Sequence, residues 1–283
     1  MNWTKVSNVA IFTTVTALTV GAGNAMAGPV LDRISERGVV TLCTNVNNPP
    51  NVFIDSSGKA QGMQVDLMNN MRAHLSEVVG KELNYELVPT LPANRVEFLD
   101  RGKCDVIFTS LTVTPERQRL IQFIEPYYYA AGAGLQTRDD VTIESWEALK
   151  NKRICSNQGS SWNLPLERNY GAEIVALQSQ QEVDQSLRDG RCIALVSDDS
   201  YLQARFLTDD KGYWTGYKVQ ELKAFSEGPW GLAIKFGDDD LQATLSEMVA
   251  SWHASGLIAE EAQKWGFTPP QFVSDMQQKY QNQ

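Results

Sequence analysis

Nine residues, Thr109-Ser110-Leu111-Thr112-Val113-Thr114-Pro115-Glu116-Arg117, set four hydroxyl side chains and an arginine directly behind the apolar run Val106-Ile107-Phe108. Hydroxyls and backbone N–H groups donate to small anions, and a guanidinium grips a carboxylate through a planar fork. Two readings follow: a strand that leaves the core to meet a capped helix, or a small anion held at the strand's carboxyl end. A second apolar run, Cys192-Ile193-Ala194-Leu195-Val196-Ser197, ends instead in two acids, Asp198 and Asp199. Hydroxyls closing one strand and carboxylates closing another suit a ligand that carries both a negative and a positive charge. Metal chemistry is not expected, because the four cysteines show no CxxC and His74 and His253 are the only histidines.

The elements that position these residues alternate strand with helix. "VVTLCTN" (39–45) is a short apolar strand, and "GMQVDLMNNMRAHLSEVV" puts Leu67, Met68, Met71, Leu75 and Val78 on one helical face. "ELNYELVP" alternates as a strand, "ANRVEFLDRG" is a short helix and "CDVIFTSL" a buried strand. This order calls for a parallel sheet with binding groups at its carboxyl edge. A second series follows "LQTRDD": "SWEALKNK", with Ser145 as a cap, then "RICSNQG", a helix from "SSWNLPLERNYG", "QEVDQSLRDG" and "CIALVSDDS". The two series resemble each other, since "FLDRGKCDVIFTSLT" and "SLRDGRCIALVSDDS" share Leu-x-x-Gly-basic-Cys before a hydrophobic strand. After one more strand in "WGLAIKFGDDD" come amphipathic helices, and the Gln-rich tail past Phe267 reads as a loosely ordered end.

The first 27 residues read as a segment outside the fold. Lys5 is their only charge, Val9 to Gly23 is mostly apolar or small, and Ala25-Met26-Ala27 has the A-x-A form of a secretory cleavage site. The apolar core is too short for a spanning helix. A soluble protein exported to the periplasm and cut after Ala27 is expected, with 256 residues remaining of 283, enough for two lobes. Losing Lys5 moves the net charge from -9 to -10, which argues against nucleic acid and against anionic membrane. In an oxidising compartment Cys43, Cys104, Cys155 and Cys192 should form disulfides, with three pairings possible.

Taken together, "GKAQGMQVDL", "ANRVEFLDRGKCDVIFTSLTVTPERQRLIQFIEPYY", "RICSNQGSS", "GRCIALVSDDS" and "WGLAIKFGDDDLQATLSEMVASWHASGLIAEEAQKWGF" resemble the periplasmic amino-acid-binding proteins of ABC importers, bacterial extracellular solute-binding family 3. The most specific stretch is a strand ending in hydroxyls, then T-x-T-x-x-R, then F-x-x-P-Y-Y. The resemblance implies an α/β, two-lobed periplasmic binding protein fold of type II, with two parallel-type sheets flanked by helices and joined by two hinge strands. It places the first lobe at 28–136 and 229–283 and the second at 137–228. It implies capture of a small zwitterion, a polar or acidic L-amino acid, by closure of the lobes and delivery to an inner-membrane permease. It implies a monomer with no cofactor and no chemistry of its own.

On that resemblance Arg117 forks the ligand's carboxylate, Thr112 adds its N–H and hydroxyl, and Ser110 turns towards the ammonium. Thr114 and Pro115 cap and start the helix that carries Arg117. Gly159, Ser160 and Ser161 stand where the family has a Gly-Thr-Thr turn, Asp198 matches its ammonium-binding aspartate, and Asp199 caps the next helix. The side-chain pocket departs from the family: Asn48 and Asn51 stand where many members carry aromatics, and Asn45 where a charged residue often reads the side chain. Arg95 either matches the arginine with which acidic-amino-acid binders hold a distal carboxylate or pairs with Glu97 or Asp100 on a helix surface. Trp162 either roofs the pocket or belongs to the second lobe's core. Strands that bring the glycine turn and Asp198 to one cleft set Cys155 beside Cys192, a pair some members share. Cys43 and Cys104 are the second expected pair, although they fit less well, about four residues out of level, or roughly 13 Å at strand rise. The competing reading is a cyclohexadienyl or arogenate dehydratase-like enzyme on the same fold, with Glu227 or Asp199 as its acid.

Overall fold

A short helix, α1 (Pro29–Arg37), feeds the first buried strand, β1 (Val39–Thr44). The computed structural model describes Met1 and residues 29–282 other than Thr208, Asp210, Ala224 and Ser226, so the expected leader lies outside the described residues. A small antiparallel flap of β2 (Asn47–Asn48), β3 (Val52–Ile54) and β4 (Ala60–Gln61) leads to α2 (Met63–Val79). Leu67, Met68, Met71 and Leu75 are fully buried as their spacing predicts, whereas Val78, in the last turn before Gly80, is exposed. Next come β5 (Asn84–Pro89), α3 (Arg95–Asp100) and β6 (Val106–Ile107), and β1 pairs in parallel with both strands. Helix α4 (Pro115–Gln118) has Pro115 in its first turn, and Thr114 Oγ1 accepts from Arg117 N at 3.3 Å. After β7 (Gln122–Phe123) the long β8 (Tyr129–Arg138) begins.

The second series opens with a 3₁₀ turn at Trp146–Leu149, where an α-helix was expected; Ser145 makes no side-chain capping bond there. It continues as β9 (Arg153–Asn157), α5 (Asn163–Tyr170), β10 (Glu173–Leu177), α6 (Gln180–Arg188), β11 (Ala194–Asp198), α7 (Asp199–Leu207) and β12 (Tyr217–Val219). Ser179 and Glu182 close a capping box at the start of α6. The chain then returns through β13 (Glu227–Trp230) and β14 (Ala233–Ile234) to α8 (Asp239–Ser255), α9 (Leu257–Lys264) and α10 (Gln271–Gln281).

Two main sheets result, in the orders β5-β1-β6-β14-β7 and β10-β9-β11-β8-β12. Each is parallel over its first three strands. They turn antiparallel at β14 in one and at β8 and β12 in the other. Strand β8 explains this mixture. Its first residues, Tyr129 to Gly132, pair with β13, and Ala133 onward pairs with β11, so one strand runs between the two sheets while β13 returns beside it. Separate cores lie under the sheets, one around Leu42, Phe108 and Trp252 and another around Leu135, Ile154 and Leu166. Each such buried side chain contributes about 1.5–3 kcal/mol.

Both cysteine pairs are bonded, Cys43 to Cys104 and Cys155 to Cys192, each with a Cα separation of 5.6 Å. The in-line strand assumed for Cys104 fails because the chain bends at Asp105 before β6 begins. Asp105 is anchored there by Thr41 N at 2.8 Å and Thr41 Oγ1 at 2.7 Å. The two bridges occupy equivalent places. Cys43 is level with Ile107, three residues past Cys104, and Cys155 is level with Leu195, three residues past Cys192. Replacing either pair by serine should lower stability by about 2–5 kcal/mol. Peptide mapping without reduction should recover both linked pairs, and a free Cys155 thiol would contradict the assignment.

The tail is ordered, against expectation. Helix α10 packs on α8 because Val273 enters the main core and His253 of α8 stacks on Tyr280 with centroids 5.9 Å apart. His253 Nε2 lies 2.8 Å from the Tyr127 carbonyl, to which it donates, while buried Nδ1 has no partner among the described residues. Burial holds the imidazole below its ordinary value, the Tyr127 carbonyl opposing and Lys279 adding to the fall. A lowered histidine pKa means that the unfolded chain takes up the proton first. His253 therefore contributes its full stability above about pH 6.5 and loses it as pH falls below that. In urea unfolding, the stability gap between the native chain and His253→Gln should shrink from pH 7.5 to pH 5; a constant gap would disprove the coupling.

Candidate functional site

Strand β6 ends at Ile107, so Thr109, Ser110 and Thr112 stand in the loop at the carboxyl edge of the first sheet. Strands β9 and β11 end at Asn157 and Asp198, at the carboxyl edge of the second. The two edges face each other across a compact cavity of ≈ 60 Å³. Its first-lobe wall includes Asn45, Asn48, Arg95, Ser110 and Thr112. Ser160, Ser161, Trp162 and Asp198 form the opposite wall. Asn51 is not on either wall: it is fully buried elsewhere, with both side-chain polar atoms unpartnered.

The hydroxyls join the two walls. Ser161 Oγ donates to Thr112 Oγ1 at 3.2 Å, and Ser160 Oγ accepts from Trp162 N at 3.3 Å. Asn45 Oδ1 accepts from Asn47 N at 3.2 Å, which steadies the loop after β1. Arg117 is not among the residues that line the cavity. Its Nη1 donates to the Thr112 carbonyl at 2.6 Å and its Nη2 to the Gly159 carbonyl at 2.9 Å, so the fork spans from one wall to the other. Burial holds its pKa below the usual guanidinium value, and the nearby Asp198 opposes that fall. Two of its five N–H donors are used in these bonds.

Arg95 is 6 % exposed, and among the described residues it has no ion pair. The surface alternative fails, because Glu97 pairs with Arg101 at 2.7 Å instead. Arg95 Nη1 makes one long bond to the Ser110 carbonyl, 3.4 Å, and Nε is buried without a partner among the described residues. Burial first, and the neighbouring Arg117 second, bring its pKa down to about 9, still cationic at neutral pH. A buried cation without a carboxylate is costly unless an anion arrives.

Asp198 is the counterpart. Burial pushes its carboxyl up to about 7, and Asp199 adds to that, while the Trp162 N–H, Arg95 and Arg117 pull the other way. Asp199 does not face the ligand edge in the same manner: its Oδ1 accepts from Gly132 N of β8 at 3.0 Å and from Ser200 N at 2.6 Å, pinning the start of α7 to β8. Glu227 is exposed on β13 and is not a wall residue. Sequence reasoning missed Gln180 and Tyr201, which line the cavity from α6 and α7. It also missed Tyr128, whose hydroxyl donates to the Thr109 carbonyl at 3.0 Å and steadies the hydroxyl loop. Gln180 and Tyr201 carry no signal of their own, whereas Tyr128 sits in the Pro126-Tyr127-Tyr128 motif. Among the described residues no three His, Cys, Asp or Glu side chains cluster as metal ligands, and no helix is long and apolar enough to cross a membrane.

A two-lobed α/β architecture, with hydroxyls on one sheet edge and a carboxylate on the other, is that of a type II periplasmic binding protein. Residues 40–268 match the family of bacterial extracellular solute-binding proteins, family 3, and the chain belongs to that family. It is 29 % identical over 224 residues to the L-arginine-binding protein of Pseudomonas aeruginosa, covering 77 % of this chain and 83 % of that one. It is 25 % identical over 252 residues to the glutamate/aspartate import solute-binding protein of Salmonella typhimurium, covering 86 % and 80 %. Among solved structures it resembles the ancestral amino acid-binding protein AncCDT-1, a precursor of cyclohexadienyl dehydratase, with a TM-score of 0.73, 25 % identity and coverage of 84 % and 99 %.

Proposed function

We propose that the chain is the periplasmic substrate-binding component of an ABC importer for a small zwitterion, an acidic L-amino acid. It is exported by a leader cut after Ala27, acts as a monomer, and delivers its ligand to an inner-membrane permease. The lobes, 28–136 with 229–283 and 137–228, close on the ligand through β8 and β13. One observation carries the reading. Arg95 is buried on the first wall with no ion pair among the described residues, and Asp198 faces the cavity from the second. A ligand with an ammonium and two carboxylates satisfies Asp198, Arg95 and the hydroxyl–Arg117 edge together. The α-carboxylate falls to Thr112, Ser160, Ser161 and Arg117, the ammonium to Asp198 and Ser110, and the distal carboxylate to Arg95 and Asn45.

Relatives of similar identity are named for arginine and for glutamate/aspartate, so similarity alone does not choose between them. The charge does: a ligand guanidinium would meet Arg95. Binding without chemistry is supported by the names of these relatives, which are binding proteins. The test is a thermal-shift screen of refolded mature protein, refolding having removed carried-over ligand. At a hundredfold excess over Kd, L-glutamate or L-aspartate should raise Tm by about 5–10 °C and L-arginine should not. A rise with L-arginine alone would reverse the assignment.

A further inference from the structure

Trp162 was ambiguous between pocket and core; it is both. Its ring is 4 % exposed, and its Nε1 donates to Asp198 Oδ1 at 2.9 Å. Among the described residues this is the single side-chain hydrogen bond that Asp198 makes to protein. The ring has little freedom to turn away. It meets Phe225 edge-on at 6.0 Å, and Phe225 is itself wedged against Trp146 at 4.6 Å and Tyr170 at 5.3 Å. Its far edge lies against Gly228 of β13, where an added Cβ would come within 3.7 Å of Trp162 Cη2. Gly228 is level with Ala131 of β8, so the indole joins the carboxylate to the strands that run between the lobes.

We propose that Trp162 is a positioning residue: its indole N–H fixes Oδ1 of Asp198, keeps the carboxylate charged and leaves Oδ2 for a ligand ammonium. An indole N–H donates and cannot accept, so it favours the ionised carboxylate over the neutral acid. The electrostatic surroundings make that bias matter. Asp199 repels the charge on Asp198, Arg95 and Arg117 attract it, and Tyr128, Tyr129 and Tyr201 face it as neutral phenols raised by burial. With burial lifting Asp198 to about 7, the loss of one donor changes how much of it is ionised near neutral pH. A neutral acid at this place would hold an ammonium poorly.

The role of Asp198 as ammonium partner rests on the reading above; the bond between Trp162 and Asp198 does not, and the experiment separates them. In ligand-free protein with ¹⁵N-labelled indoles, one N–H resonance should titrate between pH 5 and pH 9 and become flat in Asp198→Asn. That comparison needs no change at Trp162 and identifies its signal. In Trp162→Phe, which keeps a ring against Phe225, the Asp198 ¹³C-carboxyl midpoint should rise by about half a unit or more. Calorimetry with L-glutamate should then show affinity falling about threefold further at pH 6 than at pH 8.5, the ratio that half a unit implies. An indole set in which no signal responds to Asp198→Asn, or an Asp198 midpoint unmoved by Trp162→Phe, overturns the proposal. If native protein fails to bind L-glutamate, the acidic-ligand reading falls, and the two titrations still decide the part played by Trp162.

Discussion

Replacing Arg117 by alanine should cost about 2–5 kcal/mol of affinity for the amino-acid ligand while leaving the fold intact, because on the proposed assignment the loss strips a desolvated carboxylate of its cation. The structure adds a second cause. Arg117 bonds the Thr112 carbonyl at 2.6 Å and the Gly159 carbonyl at 2.9 Å, so the same side chain ties the hydroxyl loop to the turn on the facing lobe. Arg117→Lys separates the two causes. An ammonium keeps the charge but lacks the planar fork that reaches two partners at fixed angles. Lysine should therefore recover part of the carboxylate attraction and little of the bridge. Calorimetry reads the affinities, and small-angle scattering reads whether saturating ligand still contracts the molecule. Affinity unchanged in Arg117→Ala would put the ligand's carboxylate elsewhere.

The site was legible where residue type and position in the fold coincide. A strand that stops at Ile107 and is followed by hydroxyls needs only the parallel pairing of β1 and β6 to bring them to a cleft, and the alternation of strand with helix implies that pairing. Asp198 was legible for the same reason, at the end of β11. Arg95 was not, since an arginine in the first turn of a short helix looks the same whether it faces solvent or a cavity; its burial is a fact of packing. Both disulfide pairings form as expected, and what the sequence hid was the level at which Cys104 stands. The Gly-basic-Cys repeat is plain in the sequence, and Gly102 and Gly190 do end their helices in the same left-handed conformation, φ 67 and 69. Carried one step further, the repeat predicts that both cysteines bridge back to the equivalent strand. A straight strand through Cys104 would set it out of level with Cys43, and the bend at Asp105 removes that offset. The order of the tail is hidden from composition, which counts glutamines, whereas α10 is held by Val273 and Tyr280 finding α8.

Gly159 should prove as sensitive as Arg117, for a reason that involves no charge. It lies in the turn between β9 and α5, with φ +81, where a side chain is already strained. A Cβ there would come within 2.9 Å of Ala93 Cα, 3.0 Å of the Pro92 carbonyl oxygen and 3.1 Å of Ala93 N. All three are backbone atoms of the opposite lobe, which no rotamer change can move aside. Gly159→Ala should hold the lobes apart, weaken the ligand by about tenfold or more, and prevent the ligand-driven contraction seen by scattering. Lost stability alone could mimic lost affinity, so the control is Gly80→Ala. Gly80 has φ +65 at the end of α2, with nothing within 4 Å of an added Cβ. It carries a similar backbone cost, about 1 kcal/mol, and no contact across the cleft. Gly80→Ala should therefore lower Tm and leave both affinity and contraction as they were. Equal ligand affinity in Gly159→Ala and the native chain would mean that the ligand is held without this approach of the two lobes.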